Sequence, residues 1–374
     1  MRIRLKDAFD LQMGKTPARN TPSYWDGNHK WISIADIGSA GKYIATTKER
    51  ITDTAITESG IRAVPAHTVI MSFKLSIGKT AITSEEMYTN EAIMAFISNG
   101  TYAIDTDYLY HMCCGTAWTE GTNKAVMGLT LNKATLSEKR ISLPEITEQR
   151  NIAAKFDALD NVIEKTQSEL SSLDQLVKSR FVEMFAGKYE TVKLGNVAKT
   201  TSGGTPSRTH PEYYEKGSIP WLTSGEVNAG VITSVKNYIT EAAMENSSAK
   251  MVPANSVVVA MYGATAGVTG LLRLNTTTNQ AVCSILPNER FVPEYLYYAV
   301  ASKKDWMISQ CQGGGQPNIS QGIIRSMEII DAPLELQNRF AAFVAEVDKS
   351  KLAVKQSLEK LETLKKTLMQ QYFG

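Results

Sequence analysis

The 374-residue sequence contains little cysteine, little net charge and no long apolar segment, and each shortage excludes a class of protein. Its four cysteines show no paired CxxC spacing, which argues against both a zinc site and a disulfide framework. No apolar run reaches the roughly 18–20 residues that a membrane span requires, and the N-terminal residues lack the apolar core of a secretory signal. We therefore expect a cytoplasmic protein with reduced thiols and no membrane partner.

The familiar signatures of catalysis and cofactor binding are also missing. The four histidines are scattered and form no HxE or HExxH pattern, and the chain has no (Asp/Asn)-Pro-Pro-aromatic run of the kind expected in adenine-N6 methylases. Gly78-Lys79-Thr80 resembles the tail of a phosphate-binding P-loop, but Phe73 occupies the position where that motif requires glycine. We expect a non-catalytic chain that binds no metal or cofactor itself. An ATP-binding P-loop that depends on Lys79 is the enzymatic alternative.

A long internal repeat is the most informative feature of the chain. The phrase GKTPARNTPSYW at residues 14–25 returns as GGTPSRTHPEYY at residues 203–214, and an offset of about 189 positions aligns further phrases along both halves. These include TNEAI, which begins at Thr89, with TNQAV, which begins at Thr278. The period is far too long for a solenoid. The pattern therefore predicts a tandem duplication of a globular unit that is followed each time by a helix.

The repeat predicts an α+β fold with two mixed α/β domains and two long helical segments. The domains are assigned to residues 1–143 and 188–332, and the helical segments to residues 144–187 and 333–374. Short β-rich runs alternate with Gly, Asn and Thr turns in both domains, and HTVIMSF and NSVVVAMY are predicted to contain buried strands. The paired Thr-Pro phrases are predicted to be surface loops, while Trp31 and Trp221 are expected to pack in the cores.

The helical segments carry a heptad pattern that predicts a coiled coil. Apolar residues recur at alternating intervals of three and four positions, which is the spacing of a coiled-coil seam. The seam residues are Phe156, Leu159, Ile163, Leu170, Leu173 and Val177 in the first helix, and Val344, Val347, Leu358, Leu361 and Leu368 in the second. Lys351 and Lys365 interrupt the second seam. A seam of this length needs a partner, and we expect the two helices to pair with each other. Independent packing of each helix on its own domain is the alternative.

We expect the two helices to run antiparallel, because little sequence is available to bring the chain back along the first helix before the second domain begins. Residues 156–184 of the first seam would span about 43 Å at ~1.5 Å per residue, and one turn of B-DNA is about 34–36 Å. Two similar domains on such a spacer, related by a pseudo-twofold axis, could meet one face of a duplex at two sites. The pattern therefore predicts two DNA readers on one scaffold.

Over its whole length the chain resembles the specificity subunits of type I restriction-modification systems. The resemblance rests on the duplicated layout, the passage GGTPSR…PEYY…IPWLTSGEV, the run GGGQPNIS at residues 313–320, the proline-initiated helices LPEITEQR and APLELQNR, and the C-terminal LEKLETLKKTLMQQYF. It implies two target recognition domains that each read half of a split DNA sequence. It also implies that the helices set the spacing between the half-sites and bind two modification subunits.

The same resemblance implies the partners and cofactors of the assembly. Double-stranded DNA, two adenine-methylating modification subunits and the restriction subunits, which carry the motor and nuclease, are the expected partners. The methylase is expected to use S-adenosylmethionine, and the nuclease ATP and Mg²⁺. Because the net charge is only +2, we expect the isolated chain to bind DNA weakly. A two-headed coiled-coil adaptor that binds proteins instead of DNA is the alternative function.

Candidate DNA contacts come from the repeated loops and from segments in which the two copies differ. Both loops contain an arginine, Arg19 or Arg208, and we assign this shared residue to phosphate contact or loop bracing rather than base reading. Gln and Asn can pair with adenine edges and Lys with guanine, which favours the divergent polar residues for reading. The candidate set is Lys15, Thr16, Arg19, Lys74, Lys79, Lys124, Thr205, Arg208, Tyr262, Gln316 and Asn318.

The first copy departs from the second at two of these places. The run EGTNKAVMGLTL stands where the second copy has GGGQPNIS, and Lys15 replaces the second glycine of GGTPSR. We therefore expect the two domains to contact DNA differently in detail.

Overall fold

The computed structural model describes residues 1–74, 76–118, 131–311 and 317–374. The chain folds into two compact units, in which unit 1 comprises Met1–Gln167 and Gln356–Gly374, and unit 2 comprises Ser168–Lys355. Each unit contains one globular repeat together with a segment of each long helix. The predicted fold class, two repeated mixed α/β domains with two long helices, is confirmed.

Unit 1 alternates short strands with short helices. Its strands are β1 (Arg2–Arg4), β2 (Phe9–Met13), β3 (Trp25–Ile32), β4 (Tyr43–Ile44), β5 (Glu49–Ile51), β6 (Val69–Ser72), β7 (Thr80–Thr83), β8 (Tyr88–Thr89), β9 (Ile93–Ser98) and β10 (Arg140–Ser142). Its helices are α1 (Leu5–Ala8), α2 (Ile34–Ser39), α3 (Asp53–Ser59), α4 (Thr106–Gly115) and α5 (Lys133–Glu138), and the long α6 (Ile146–Phe185) follows. A 3₁₀ turn at Pro22–Tyr24 precedes β3.

The strands of unit 1 form a five-stranded sheet, a three-stranded sheet and a terminal pair within the described residues. The five-stranded order is β2-β9-β6-β7-β4, antiparallel except between β4 and β7. The three-stranded order is β5-β3-β8, in which β3 runs parallel to β8. The antiparallel pair of β1 with β10 brings the first residues of the unit next to the start of α6.

Unit 2 repeats this succession of elements. Its strands are β11 (Thr191–Lys193), β12 (Thr200–Ser202), β13 (Ile219–Leu222), β14 (Val231–Ile232), β15 (Asn237–Ile239), β16 (Val257–Ala260), β17 (Thr269–Leu272), β18 (Thr277–Thr278), β19 (Val282–Ile285) and β20 (Glu328–Ile330). Its helices are α7 (Leu194–Val197), α8 (Glu241–Glu245), α9 (Pro293–Ala301), α10 (Lys304–Ser309), α11 (Gln321–Ser326) and the long α12 (Leu334–Phe373), with 3₁₀ turns at Pro211–Tyr213, Ser224–Ala229 and Gly263–Thr265. The sheet orders β12-β19-β16-β17-β14, β15-β13-β18 and β11-β20 match those of unit 1 strand for strand.

The central strands β6 and β16 are buried on both faces, which explains their continuous apolar sequences VIMS and VVVA. Side chains alternate between the faces of a strand. Val69 and Met71 therefore join the cluster that contains the long-helix residues, whereas Ile70 belongs to a separate cluster. Both strands lie within the runs HTVIMSF and NSVVVAMY, so the prediction of buried strands there is confirmed.

In unit 1 the start of α6 packs against the end of α12. The ring of Phe156 lies 5.6 Å from that of Phe373 and 6.1 Å from that of Tyr372. Lys365 forms an ion pair with Asp160 across the two helices. Because the first turns of one helix meet the last turns of the other, the two segments are antiparallel.

In unit 2 the end of α6 packs against the start of α12, again in antiparallel fashion. The rings of Phe181 and Phe340 are 5.5 Å apart, and Lys351 Nζ lies 2.6 Å from Asp174 Oδ1. The lysines that interrupt the apolar seam in both units are thus paired with carboxylates of the facing helix segment. Such pairing keeps the half-buried charge compensated while the aliphatic stem packs in the seam.

The seam positions of both long helices face inward. Phe156, Leu159, Val177, Val344 and Val347 are buried, and Ile163, Leu170, Leu173, Leu358, Leu361 and Leu368 are half-buried. Among the described residues, no helix combines the length and apolar content that a membrane crossing requires.

A buried glutamine joins each long helix to the globular part of its unit. Gln149 accepts a hydrogen bond from the backbone N–H of Asp105 at 2.9 Å and donates to the carbonyls of Ala103 and Pro144. In unit 2, Gln337 makes the same three types of bond around α9. Both side chains are almost fully buried, so these bonds satisfy backbone groups that water cannot reach.

A polar cluster is buried next to the helix pair of unit 1. His111 on α4 is fully buried, stacks on Phe156 at a ring distance of 5.2 Å, and places Nε2 2.7 Å from Asp157 Oδ1. Lys42 Nζ lies 2.5 Å from the same carboxylate and 2.7 Å from Asp107. Burial lowers the pKa of His111 from its ordinary value of 6.5, and the hydrogen bond to Asp157 only partly opposes this effect. The imidazole is therefore neutral in the folded unit at pH 7.

We expect unit 1 to lose stability as the pH falls below about 6.5, the ordinary pKa of histidine. In that range the unfolded chain protonates His111 while the folded unit resists protonation, so acid favours unfolding. The substitution His111→Gln, whose amide can still donate to Asp157, should weaken this pH dependence in thermal unfolding measured between pH 7.5 and 5.

A matched control is His67→Asn, which removes an exposed histidine at a positive φ of 58° that asparagine tolerates. This variant should keep the wild-type pH dependence. Equal slopes for His111→Gln and the wild type would show that His111 does not cause the effect.

Candidate nucleic-acid interface

The strand registers of unit 1 bring three loops to one edge of the five-stranded sheet. Met13 at the end of β2 pairs with Met94, Ser72 at the end of β6 pairs with Ile93, and Thr80 at the start of β7 pairs with Met71. The loop after β2, the β6–β7 turn and the segment before β9 must therefore lie side by side. We call residues 14–25, 73–74, 76–79 and 89–92 the loop edge of unit 1.

Backbone hydrogen bonds tie this loop edge together. The N–H of Gly14 donates to the carbonyl of Ile93 at 3.2 Å, and that of Lys15 to the carbonyl of Thr89 at 2.8 Å. The N–H of Phe73 donates to the carbonyl of Ala92 at 3.0 Å. The repeated loop and the β6–β7 turn are thus both anchored to the segment before β9, so their relative position is fixed by the backbone.

Unit 2 builds an equivalent edge from residues 203–214, 261–268 and 278–281, the loop edge of unit 2. The N–H of Gly204 donates to the carbonyl of Thr278 at 2.9 Å, and the N–H of Met261 to the carbonyl of Ala281 at 2.8 Å. Each copy of the repeated phrase therefore forms the same anchored loop.

A buried tryptophan in each unit supports the repeated loop through a hydrogen bond. Trp31 and Trp221 are buried as expected for core residues. Each also donates its indole N–H to a loop carbonyl, Trp31 to Lys15 and Trp221 to Gly204, both at 3.1 Å. Core packing alone describes these residues incompletely. The available signal was that both tryptophans follow the repeated phrase at nearly the same distance, with one extra residue in the second copy.

The loop candidates of unit 1 are held by intramolecular partners. Lys15 Nζ donates to the carbonyl of Ser59, and the hydroxyl of Thr16 donates to the carboxylate of Glu91. Arg19 forms a two-point ion pair with Glu49, in which Nη2 lies 3.1 Å from Oε2.

The two candidate lysines of the β6–β7 turn, Lys74 and Lys79, differ in exposure. Lys79 is exposed and its ammonium lies beside Gly38 of α2. Lys74 is half-buried, with Nζ 5.3 Å from the centre of the Phe73 ring. Lys124 lies outside the described residues.

The β6–β7 turn does not have the hydrogen-bonding pattern of a P-loop. The N–H of Gly78 donates to the carbonyl of Ser72 at 2.9 Å, and the N–H of Lys79 donates to the hydroxyl of the same residue at 3.1 Å. A P-loop presents such amides to phosphate instead. Gly78 has a positive φ of 91°, which is the reason for glycine at this turn.

The DNA-contact candidates of unit 2 lie in the repeated loop and in a second segment beside it. Thr205 donates its hydroxyl to the side-chain oxygen of Gln280, and Arg208 is exposed. Tyr262 and Asn318 face each other in an isolated β-bridge, and the N–H of Ile319 donates to Met261, so the segment after residue 316 returns to the loop edge. Gln316 itself lies outside the described residues.

The polar side chains that hold the loop residues were missed by sequence reasoning. Glu91 and Gln280 were visible in the aligned phrases TNEAI and TNQAV, but nothing in the sequence identified them as loop partners. Within the ranges that the structure describes, no group of three or more His, Cys, Asp or Glu side chains could hold a metal ion.

The chain matches one family model in both of its halves. Residues 1–174 and 187–364 match the model described as the type I restriction modification DNA specificity domain. A type I restriction enzyme specificity subunit of Methanocaldococcus jannaschii, MjaIX, is 24% identical over 285 residues, which cover 70% of this chain and 65% of the relative. The EcoR124I/EcoR124II specificity subunit of Escherichia coli is 25% identical over 227 residues, which cover 57% of this chain and 56% of the relative. The matched stretch thus spans between about half and two thirds of the length of these curated relatives.

Solved structures share the fold along the full chain. A chain from a structure concerned with complex assembly and conformational transition of the type I R-M system has a TM-score of 0.66 at 17% identity, covering 100% of this chain and 97% of the other. The crystal structure of the type I restriction-modification S subunit from M. genitalium has a TM-score of 0.52 at 14% identity, covering 100% and 96%. At such identities these likenesses support the fold alone.

We expect Gly203→Ala to displace the loop of unit 2. A Cβ at this position would lie 1.8 Å from the carbonyl oxygen of Thr278, which belongs to the backbone and cannot move aside cheaply. The variant should lower the free energy of unfolding by about 1–3 kcal/mol, measured by thermal or denaturant unfolding. The control Gly225→Ala places its Cβ in open space and should change stability by less than about 0.5 kcal/mol. If both variants had the same stability, the close approach of residue 203 to the carbonyl of Thr278 would be contradicted.

Proposed function

Since the chain belongs to the type I restriction modification DNA specificity family, we propose that it recognises a two-part DNA sequence for a type I restriction-modification complex. Each loop edge, in the domains assigned to residues 1–143 and 188–332, reads one half of the target. One observation carries this proposal: the two edges share their backbone anchoring and differ in the side chains that they present. A shared scaffold with different side chains is what two unlike half-sites require.

Contacts at each loop edge divide into positioning and reading roles. Lys79 is exposed and long enough to meet a phosphate, which positions the duplex without reading it. Asn318 and its neighbour Tyr262 present an amide and a phenol, and an Asn amide can pair with the N6 and N7 positions of adenine. We assign Asn318 to base reading in unit 2.

The chemistry of the complex belongs to other subunits in this proposal. The modification subunits transfer methyl groups from S-adenosylmethionine to adenine, and the restriction subunits use ATP and Mg²⁺, while this chain selects the sequence in the cytoplasm. Its small net charge of +2 favours weak binding in isolation, because affinity grows with the number of phosphates neutralised. We therefore expect the modification subunits to supply much of the affinity of the complex for DNA.

The long helices set the gap between half-sites and bind the modification subunits. Leu176 and Leu364 occupy equivalent places in the repeat, in the matching runs LDQLVKS and LETLKKT. Both are helical yet exposed, at 48% and 49%. This matched pair places one leucine in each unit at the same repeat position, which fits one modification subunit per unit.

The function is tested by mapping methylated adenines in DNA modified by the assembled chain and modification subunits. We expect two unlike half-sites about one helical turn apart, centre to centre. Substituting Asn318→Ala should relax the sequence of one half-site and leave the other unchanged. Methylation at a single continuous site, or at random adenines, would contradict the proposal.

Electrophoretic shifts of the same complex separate DNA recognition from the rival function, a two-headed protein-binding adaptor. A DNA reader retards a duplex that carries the mapped site more strongly than a scrambled duplex. An adaptor without DNA specificity retards both equally.

If the modification subunits bind at Leu176 and Leu364, substitution of either leucine should change how many modification subunits the chain binds. Leu176→Gln or Leu364→Gln should each lose one of two modification subunits in native mass spectrometry, because a polar side chain no longer fills an apolar contact. The control Leu352→Gln changes a helical leucine that is 59% exposed and has no leucine at the repeat-equivalent position. This control should retain both subunits. Retention of both by the two test variants would refute docking at these leucines.

A further inference from the structure

The repeated loops differ in charge at two equivalent places. Glu49 lies opposite Trp31 in the pairing of β3 with β5, and in unit 2 the residue opposite Trp221 is Asn237. Thus a carboxylate beside the loop of unit 1 is replaced by an amide beside the loop of unit 2.

The same replacement occurs at the partner of the loop threonine. Thr16 bonds to Glu91 in unit 1, whereas Thr205 bonds to Gln280 in unit 2. The hydrogen bond is conserved between the units while its negative charge is lost. At these two places, therefore, unit 2 has two fewer negative charges than unit 1.

In unit 1 these charges capture the loop arginine. The Arg19 guanidinium pairs with Glu49 through two nitrogens and lies 4.0 Å from the centre of the Trp25 ring and 4.9 Å from that of Trp31. The hydrogen bond to Glu49 raises the pKa of Arg19 above its usual value, and Glu91 adds to the effect. The ion pair and the ring contacts together hold the Arg19 guanidinium against its own unit.

In unit 2 the equivalent arginine has no such partner. Arg208 is exposed, and no carboxylate among the residues that the structure describes lies within ion-pair distance of it. Glu212 in the same loop is engaged by His210 Nδ1 at 2.8 Å. Tyr214 replaces Trp25 at the ring position, with its hydroxyl donated to the carbonyl of Pro206 at 2.5 Å.

We propose that Arg208 contacts a DNA phosphate, whereas Arg19 braces its own loop, so that the two repeated loops hold their half-sites with unequal electrostatic strength. This inference rests on the proposed DNA-reading function and assigns the positioning residue within it. An uncompensated cation at the loop edge can replace a condensed counterion of DNA. An arginine already paired with a carboxylate must first give up that pair, so it contributes little.

The first test compares Arg208→Gln with Arg19→Gln in the complex with modification subunits. The probes are a labelled duplex that carries the mapped site and a scrambled duplex of equal length. Loss of one phosphate contact should reduce the slope of log K against log salt by about 0.9, which makes the affinity loss between 50 and 200 mM salt about 3.5-fold smaller. We expect this change for Arg208→Gln on both duplexes, and no change in slope for Arg19→Gln, whose melting temperature falls instead. Arg208→Lys keeps the charge and should keep the slope.

The second test exchanges the charges that distinguish the loops. Asn237→Glu with Gln280→Glu gives unit 2 the carboxylates of unit 1 and should reproduce the reduced slope of Arg208→Gln. Glu49→Asn with Glu91→Gln should release Arg19 and increase the slope by about 0.9. As a control for net charge, Gln175→Glu with Asn338→Glu adds two negative charges on exposed helical positions of unit 2 and should leave the slope unchanged.

The outcomes separate this inference from the function on which it rests. If the complex binds the mapped and scrambled duplexes equally, the proposed recognition function is wrong. If binding is sequence-specific but Arg208→Gln and Arg19→Gln change the salt slope equally, or not at all, the division of roles between the two arginines is wrong and the recognition function stands.

Discussion

Each unit depends on one shared core, in which the five-stranded sheet and the two long-helix segments bury one another. In unit 1, Val69 and Met71 of the central strand and Phe156 of the long helix belong to the same cluster, against which Tyr372 and Phe373 pack. Neither partner could remain exposed, because the strand is apolar on both faces and the helices carry an apolar seam. This burial holds the strands in register, and the register fixes which loops meet at the sheet edge.

The duplicated architecture separates what must stay constant from what can vary. The loop backbone is anchored in both units by the same N–H to carbonyl bonds and by an indole N–H from Trp31 or Trp221. The side chains above that backbone have diverged, as the pairs Glu49 with Asn237 and Glu91 with Gln280 show. A loop whose position depends on backbone bonds tolerates a change of charge at its surface.

Several features could be predicted because they follow from local pattern. The heptad spacing from Phe156 onward predicted a helix with a buried seam, and the short apolar run within HTVIMSF predicted a buried strand. The lysines in the second seam looked like defects, since their partners Asp174 and Asp160 lie on the other helix, 177 and 205 residues away in sequence. The ion pair of Arg19 with Glu49 could not be predicted either, because β3 and β5 meet only when the sheet forms.

The sequence by itself determined the duplication, the fold class, the two long helices and the loops in which recognition residues should be sought. The duplication follows from comparing the chain with itself, and the other features follow from residue periodicity and turn chemistry, which act over a few neighbouring residues. The tertiary structure alone decided which loops share an edge and which of two identical arginines is already paired. Those outcomes depend on contacts between residues tens to hundreds of positions apart, and a side chain's charge is available to a partner only if folding has not brought an opposite charge beside it.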